Sequence, residues 1–273
     1  MRQLRILSGI KPRQKAGVIG QSLDLIVSRY MDQIRMFRDL IPPNFAMAGV
    51  EACEVGPGDG LANAALLLGL GARHIDLVEL QPAVTSAKQV EVLQALIDQG
   101  VPVDLDLIRG APSFEFNSDK VTYYRMFMDD LAENQKYSLV YSFCVGEHVE
   151  DLGTFFGSCY RATKPGGLNI HVIDLGGHGL FEDPLPPLDF QTYPDWLYRL
   201  MYPPFYRSTR RFVGEYLQAF ESAGFIVEGV RRLREVDPAY VTSIRPHLRA
   251  VARAVPQEDI SLIEFAVILR RPE

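Results

Sequence analysis

The stretch Glu54-Val55-Gly56-Pro57-Gly58-Asp59-Gly60 decides how this chain is read. An apolar run at 50–55 leads into it, and a helical pattern at 61–70 leaves it and stops at Gly71. Glycines belong where the backbone turns sharply and must approach a ligand with no Cβ in the way. The helix that follows such a turn presents free N–H groups at its first turn, a favourable place for an anion. Strand, glycine turn and helix in this order open an α/β sheet whose ligand sits at the carboxyl ends of the strands.

Working outward, the alternation continues. Further strands are expected at 74–80, 121–128, 137–143 and 168–175, and helices at 82–99 and 152–162. Pro82 near the start of the first of these helices and Gly100 after its end suit its two termini. The run Lys164-Pro165-Gly166-Gly167 closes the second. Strands alternating with helices imply a mostly parallel sheet wound on both faces. After the fifth strand the pattern changes. Residues 176–210 concentrate proline and aromatic side chains, including the single Trp196, and read as an ordered cap packed by its rings. A helix at 211–223, stopped by Gly224, a strand at 225–230, a helix at 239–255 and a terminal apolar strand at 261–269 complete the pattern. At the other end, Leu23, Ile26, Val27, Tyr30, Met31, Ile34 and Phe37 recur with a period of about 3.6 residues, the mark of an amphipathic helix. Pro42 and Pro43 end it. The expected division is a helical N-terminal extension at 1–47 and one α/β domain at 48–273.

The bulk numbers bound the function. The chain has 273 residues, 47% of them hydrophobic, enough for a substantial core. No apolar run approaches the roughly 20 residues of a spanning helix, and the N-terminus is too charged for a signal peptide. A cytoplasmic protein with no membrane span is expected. The net charge of −6 disfavours nucleic acid as the main partner. Basic clusters at Arg207, Arg210 and Arg211, and at Arg231, Arg232 and Arg234, suit solvated faces or contacts to an anionic substrate. Cys53, Cys144 and Cys159 match no zinc spacing, so no metal site is expected, and they read as small buried hydrophobes.

A glycine-rich turn alone is weak evidence, so its neighbours decide. A dinucleotide fingerprint wants G-x-G-x-x-G/A; here the last position is Leu61, and Gly60 comes one residue early. Glu54 would meet a pyrophosphate with like charge and suits a ligand bearing an ammonium group. Glu79, 21 residues beyond Gly58, can accept hydrogen bonds from ribose hydroxyls, a feature of nucleoside cofactors in general.

Together with Tyr137-Ser138-Leu139-Val140-Tyr141-Ser142-Phe143-Cys144-Val145-Gly146-Glu147-His148-Val149-Glu150-Asp151 and the Lys164–Gly167 turn, these motifs resemble the class I S-adenosylmethionine-dependent methyltransferases over about residues 45–175. The segment 206–225 is more loosely similar to the substrate side of sugar- and polysaccharide-linked members. The resemblance implies a Rossmann-like seven-stranded sheet with an antiparallel last strand inserted between the fifth and sixth. It implies S-adenosyl-L-methionine as cofactor. Glu54, Gly56, Gly58 and Gly60 would serve the methionine part, Glu79 the ribose, and Asp129 or Asp130 the adenine side. Pro57, Leu80, Ser142 and Phe143 complete the expected cofactor-binding set.

Methyl transfer to a hydroxyl needs a positioned nucleophile and a base near neutral pKa, for which histidine is suited. His148 follows the fourth strand at the ligand edge; its bland reading is a helix cap beside Glu147. His178 follows the fifth strand beside Gly176 and Gly177, and Asp174 ends that strand. These three are the catalytic candidates. His171, inside the strand, reads as structural. Arg207 is a candidate contact for a phosphate or carboxylate. The expected activity is O-methylation of a small molecule, sugar or glycan. Two alternatives stand beside it: a methyltransferase-like binding protein without catalysis, and an NAD(P)-dependent oxidoreductase. The cap at 176–210 suits either a lid or the contact of a homodimer.

Overall fold

A computed structural model describes residues 20–81, 85–110, 114–132, 134–177, 186–201 and 207–273. In chain order it contains α1 (Leu23–Leu40), β1 (Glu51–Val55), α2 (Ala62–Gly69), β2 (His74–Glu79), α3 (Ala87–Asp98), β3 (Val121–Arg125) and β4 (Tyr137–Phe143). There follow α4 (Leu152–Ala162), β5 (Thr163–Asp174), α5 (Asp195–Met201), α6 (Val213–Ala223), β6 (Ile226–Glu235), α7 (Pro238–Ile244), α8 (Ala250–Arg253), α9 (Gln257–Ser261) and β7 (Leu262–Arg270).

The seven strands form one sheet in the order β3-β2-β1-β4-β5-β7-β6. β1 pairs in parallel with β2 on one side and β4 on the other, so strand order reverses at β1. Ligands of open α/β sheets bind at the carboxyl ends of the strands beside such a switch point, and the glycine loop follows β1 at that end. β7 runs antiparallel to both β5 and β6, between them, as the sequence implied.

Each face of the sheet carries its own packed layer. On one, α1 buries Ile26, Tyr30, Ile34, Phe37 and Leu40 against α2, α3 and the sheet, within one continuous cluster. α2 reads Ala-Asn-Ala-Ala-Leu-Leu-Leu-Gly and is buried almost all round, as a helix covered on both sides must be. On the other face, Phe155 and Phe156 of α4 and Tyr216 and Phe220 of α6 pack with Phe265 of β7. A third, smaller cluster joins the cap to the C-terminal helices through Phe190, Tyr198, Phe212, Val241 and Leu248. Trp196 stands 69% exposed, outside that packing. Among the described residues no helix is long and apolar enough to cross a membrane.

Several boundaries differ from the sequence reading for identifiable reasons. α3 starts at Ala87, because the Ser86 N–H donates to Gln89 Oε1 (3.0 Å) and closes the first turn there; Pro82 lies outside the described residues. β5 begins at Thr163 and takes in the Lys164–Gly167 turn, with Gly166 at φ +70° and a register shift opposite β4 absorbing the irregularity. β6 continues to Glu235 through its arginines, since an edge strand can carry charge on its open side. The expected helix at 239–255 is broken into α7, a tight turn at Arg245–His247 and α8, because Pro246 cannot continue it.

Candidate functional site

The loop after β1 is built by glycines whose conformations only glycine adopts easily. Gly56 has φ +68°, and a Cβ on it would stand 2.4 Å from Val145 Cγ2. Gly58 has φ +62° and a different surrounding: a Cβ there would meet nothing within 4 Å. The backbone at Gly58 therefore faces open space, as an approach to a ligand requires. A Cβ on Gly60 would fall 2.0 Å from the Tyr30 hydroxyl, so α1 closes the loop from outside. Glu79 holds the loop to β2. Its carboxylate accepts from the N–H groups of Gly58 (3.0 Å), Leu80 (2.6 Å) and Gln81 (3.1 Å). A carboxylate has about four lone-pair positions, so acceptor capacity is left for a hydroxyl ligand.

Glu54 lies beneath the loop and is 3% exposed. Asn63 Nδ2 donates to its Oε1 (3.2 Å) and the Tyr141 hydroxyl to its Oε2 (3.0 Å). Burial pushes its pKa up to about 7, against the pull of those two hydrogen bonds. A cation above it would favour the ionised form.

At the carboxyl edge beyond β4 the chain makes a tight turn, Gly146–His148, preceded by Cys144 at φ +54°. Backbone held in this region by a non-glycine residue is the kind of strain found at functional edges. His148 is partly buried, and Nδ1 lies 3.3 Å from the Arg207 carbonyl. That carbonyl can only accept, so the proton belongs on Nδ1 and the lone pair on Nε2. Burial lowers the His148 pKa, which keeps the ring neutral at physiological pH. Asp174, at the end of β5, accepts from the Gly176 N–H (2.8 Å) and from Arg234 Nη2 (2.9 Å), and its charge reaches His148. Glu147, wholly buried, lies with its Oε1 3.9 Å from His148 Nε2. Burial raises its pKa well above the usual range, and the Asp174 and Glu264 charges add to that rise.

The remaining expected site residues fall in varied places. Pro57, in the glycine loop, and Leu80, just after β2, are half-buried. The Ser142 hydroxyl is turned into the core, 2.8 Å from His171 Nδ1, among the rings of Phe155 and Phe156. His171 is buried, and its pKa is held down at about 3 by loss of solvent, so it stays neutral and structural. Phe143 points to the opposite face, edge-on to Phe37 at 5.2 Å. Asp129 is exposed in a turn packed beside α4, and its charge is felt at Cys159. His178 lies outside the described residues. Of the cysteines, Cys53 and Cys159 are buried as expected, whereas Cys144 is exposed at the edge.

Sequence reasoning missed four residues that shape the site. Tyr30 closes on Gly60, and only its place in the apolar stripe of α1 marked it. Gln89 donates from Nε2 to the Asp59 carbonyl (2.9 Å) and ties α3 to the loop; the Ser86-x-x-Gln89 spacing was its signal. Phe127, 53% exposed just after β3, offers an aromatic face at the same edge. Glu147 read as a cap and is buried instead.

No family model matches the chain, and no curated protein sequence matches it. Solved structures do. An S-adenosylmethionine-dependent methyltransferase from Mesorhizobium loti is 19% identical, with 92% of this chain and 100% of that one covered at a TM-score of 0.50. A geranyl diphosphate C-methyltransferase from Streptomyces coelicolor is 14% identical, with 88% and 78% covered at 0.52. Phosphoethanolamine N-methyltransferase 2 from Haemonchus contortus is 15% identical, with 89% and 53% covered at 0.51. At these identities the likeness is one of fold: the chain has the Rossmann-like fold of the S-adenosylmethionine-dependent methyltransferases.

Proposed function

We propose that this chain is an S-adenosylmethionine-dependent methyltransferase that methylates a hydroxyl of a small molecule or sugar. The observation that carries the reading is the glycine loop at the carboxyl end of β1, beside the switch point of the sheet. There Gly58 faces open space, Glu79 has acceptor capacity at one rim, and Glu54 lies beneath the loop. These residues fit a ligand with a nucleoside at one end and an amino acid at the other. Glu79 would take the ribose. The glycine backbone would lie against the amino-acid end, with Glu54 favouring the ammonium. The cofactor supplies a methyl group activated by positive sulfur.

On the acceptor side, the Arg207 carbonyl fixes the His148 ring with its proton on Nδ1, and Nε2 lies 3.9 Å from Glu147 Oε1. A hydroxyl within hydrogen-bond reach of Nε2 would pass its proton there as the methyl group arrives. Asp174 would stabilise the imidazolium that results, since its charge favours the protonated ring.

The test is calorimetry with S-adenosylhomocysteine, with NAD and NADP titrated beside it. Selective binding of S-adenosylhomocysteine is expected; binding of NAD or NADP instead would move the chain to the oxidoreductases. With an acceptor in hand, His148→Ala should lower turnover by about 100-fold, the low end of general-base catalysis, and leave S-adenosylhomocysteine affinity unchanged. Unchanged turnover would remove His148 as the base.

A further inference from the structure

The basic cluster Arg207, Arg210 and Arg211 is not a solvated face. Arg210 is 3% exposed, and its backbone is held at φ +58°. The fold adds Arg199 from α5 and Arg249 from the turn before α8, and the five arginines line one cavity of about 310 Å3. The carboxylates on its wall, Glu150 and Asp195, are mostly exposed to water.

How the guanidinium groups are held matters more than their number. Arg210 Nη1 donates to the carbonyls of Phe190 (3.0 Å) and Tyr193 (2.7 Å), its Nη2 meets Asp195, and the group lies 4.2 Å over the Tyr198 ring. Arg211 donates to the carbonyls of Val149 (2.7 Å) and Glu150. Arg249 donates to Gln191 Oε1 (2.9 Å) and to the Arg210 carbonyl. Neutral oxygens hold most of these donors, while Asp195 beside Arg210 and Glu215 at 3.7 Å from Arg211 offset part of the charge. Burial lowers the pKa of both Arg210 and Arg249, and the charge of Arg249 lowers that of Arg210 further. Arginine stays charged regardless, and the five arginines outnumber Glu150, Asp195 and Glu215, so the cavity keeps a net positive charge that an anion would offset. Arg207 pairs with exposed Glu150 at 2.6 Å, and Arg199 has no ion pair among the described residues.

The cavity adjoins the catalytic edge. The Arg207 carbonyl meets His148, and the Thr209 N–H donates to the Glu147 carbonyl (2.8 Å). We propose that this cavity binds a phosphate-type oxyanion carried by the methyl acceptor, so that the substrate is a phosphorylated small molecule anchored here with its reacting hydroxyl toward His148. The proposal rests on the methyltransferase reading above. A carboxylate would offset one charge; a phosphate monoester carries about −1.5 to −2 near neutral pH and has three oxygens for forked guanidinium donors. The volume is at the lower end for small-molecule sites, enough for a head group.

The experiment is calorimetry at fixed ionic strength with pyrophosphate, phenyl phosphate, inorganic phosphate and acetate, each sample also titrated with S-adenosylhomocysteine. Saturable binding of pyrophosphate and phenyl phosphate is expected, with acetate much weaker. Arg199→Gln and Arg207→Gln should each weaken pyrophosphate binding by about tenfold, the loss of one charged hydrogen bond, with S-adenosylhomocysteine affinity unchanged. Wild-type protein that takes S-adenosylhomocysteine but no phosphate probe overturns the proposal and leaves the methyltransferase reading standing. Unchanged pyrophosphate affinity in both variants, or acetate bound as tightly, also overturns it. Inorganic phosphate bound with phenyl phosphate excluded would make this a free-anion site and overturn the acceptor role. Phosphate probes bound without S-adenosylhomocysteine would remove the methyltransferase reading, and the acceptor role with it.

Discussion

Glu54 shows how one carboxyl records its surroundings. The sequence supplies an acid at the end of a strand before a glycine turn; only the fold buries it under Asn63 and Tyr141 and raises its pKa to about 7. Its ordinary value is 4.5, so between about pH 4.5 and 7 the folded chain holds a proton that the unfolded chain has released. Stability therefore falls as pH rises through that window, by about 3 kcal/mol from this group if the full shift is expressed. Glu147 contributes in the same sense, so the informative comparison is with Glu54→Gln. Urea denaturation at pH 5 and pH 8 should show a smaller loss of stability in the variant than in the wild type. An identical pH dependence would mean that Glu54 is not held in this environment. His148 carries the complementary lesson: its type and position were legible, but its tautomer depends on the carbonyl of Arg207, a residue 59 positions away.

The contact between the glycine loop and α1 belongs to the scale of elements. Gly60 does not have a positive φ, so its need for glycine comes from the Tyr30 hydroxyl, 2.0 Å from where a Cβ would stand. Gly60→Ala should destabilise the fold by about 1–3 kcal/mol through overpacking. Tyr30→Phe removes the clashing oxygen and leaves the ring carbon at 3.1 Å, so the double variant should recover part of that loss. A thermal-melt cycle measures this; additive effects of the two changes would mean that helix and loop do not meet here. The glycine spacing pointed to the loop, but not to the reason for its third glycine. That reason lies on a helix 30 residues earlier.

At the scale of the molecule, α1 is part of the core that supports the site. Phe37 is fully buried, 4.9 Å from the Tyr141 ring and 5.2 Å from that of Phe143. Tyr141 in turn donates to Glu54. Phe37→Ala should cost about 3–5 kcal/mol, read as a lower urea midpoint with an unchanged slope. A variant within about 1 kcal/mol of wild type would place α1 outside the core.

The sequence by itself determined the class of sheet, the glycine loop after β1, and the exact bounds of β4 and α4. These depend on local signals: runs of apolar residues, their period, and glycines at a strand end. It also implied, through resemblance, the antiparallel β7 between β5 and β6. Tertiary structure decided what depends on distant partners. It buried Glu147 and Arg210, turned Ser142 away from the edge, and set Arg199 and Arg249 beside the arginines at 207–211. Charge and burial there follow from which surfaces the chain brings together, and no local pattern in the sequence encodes that.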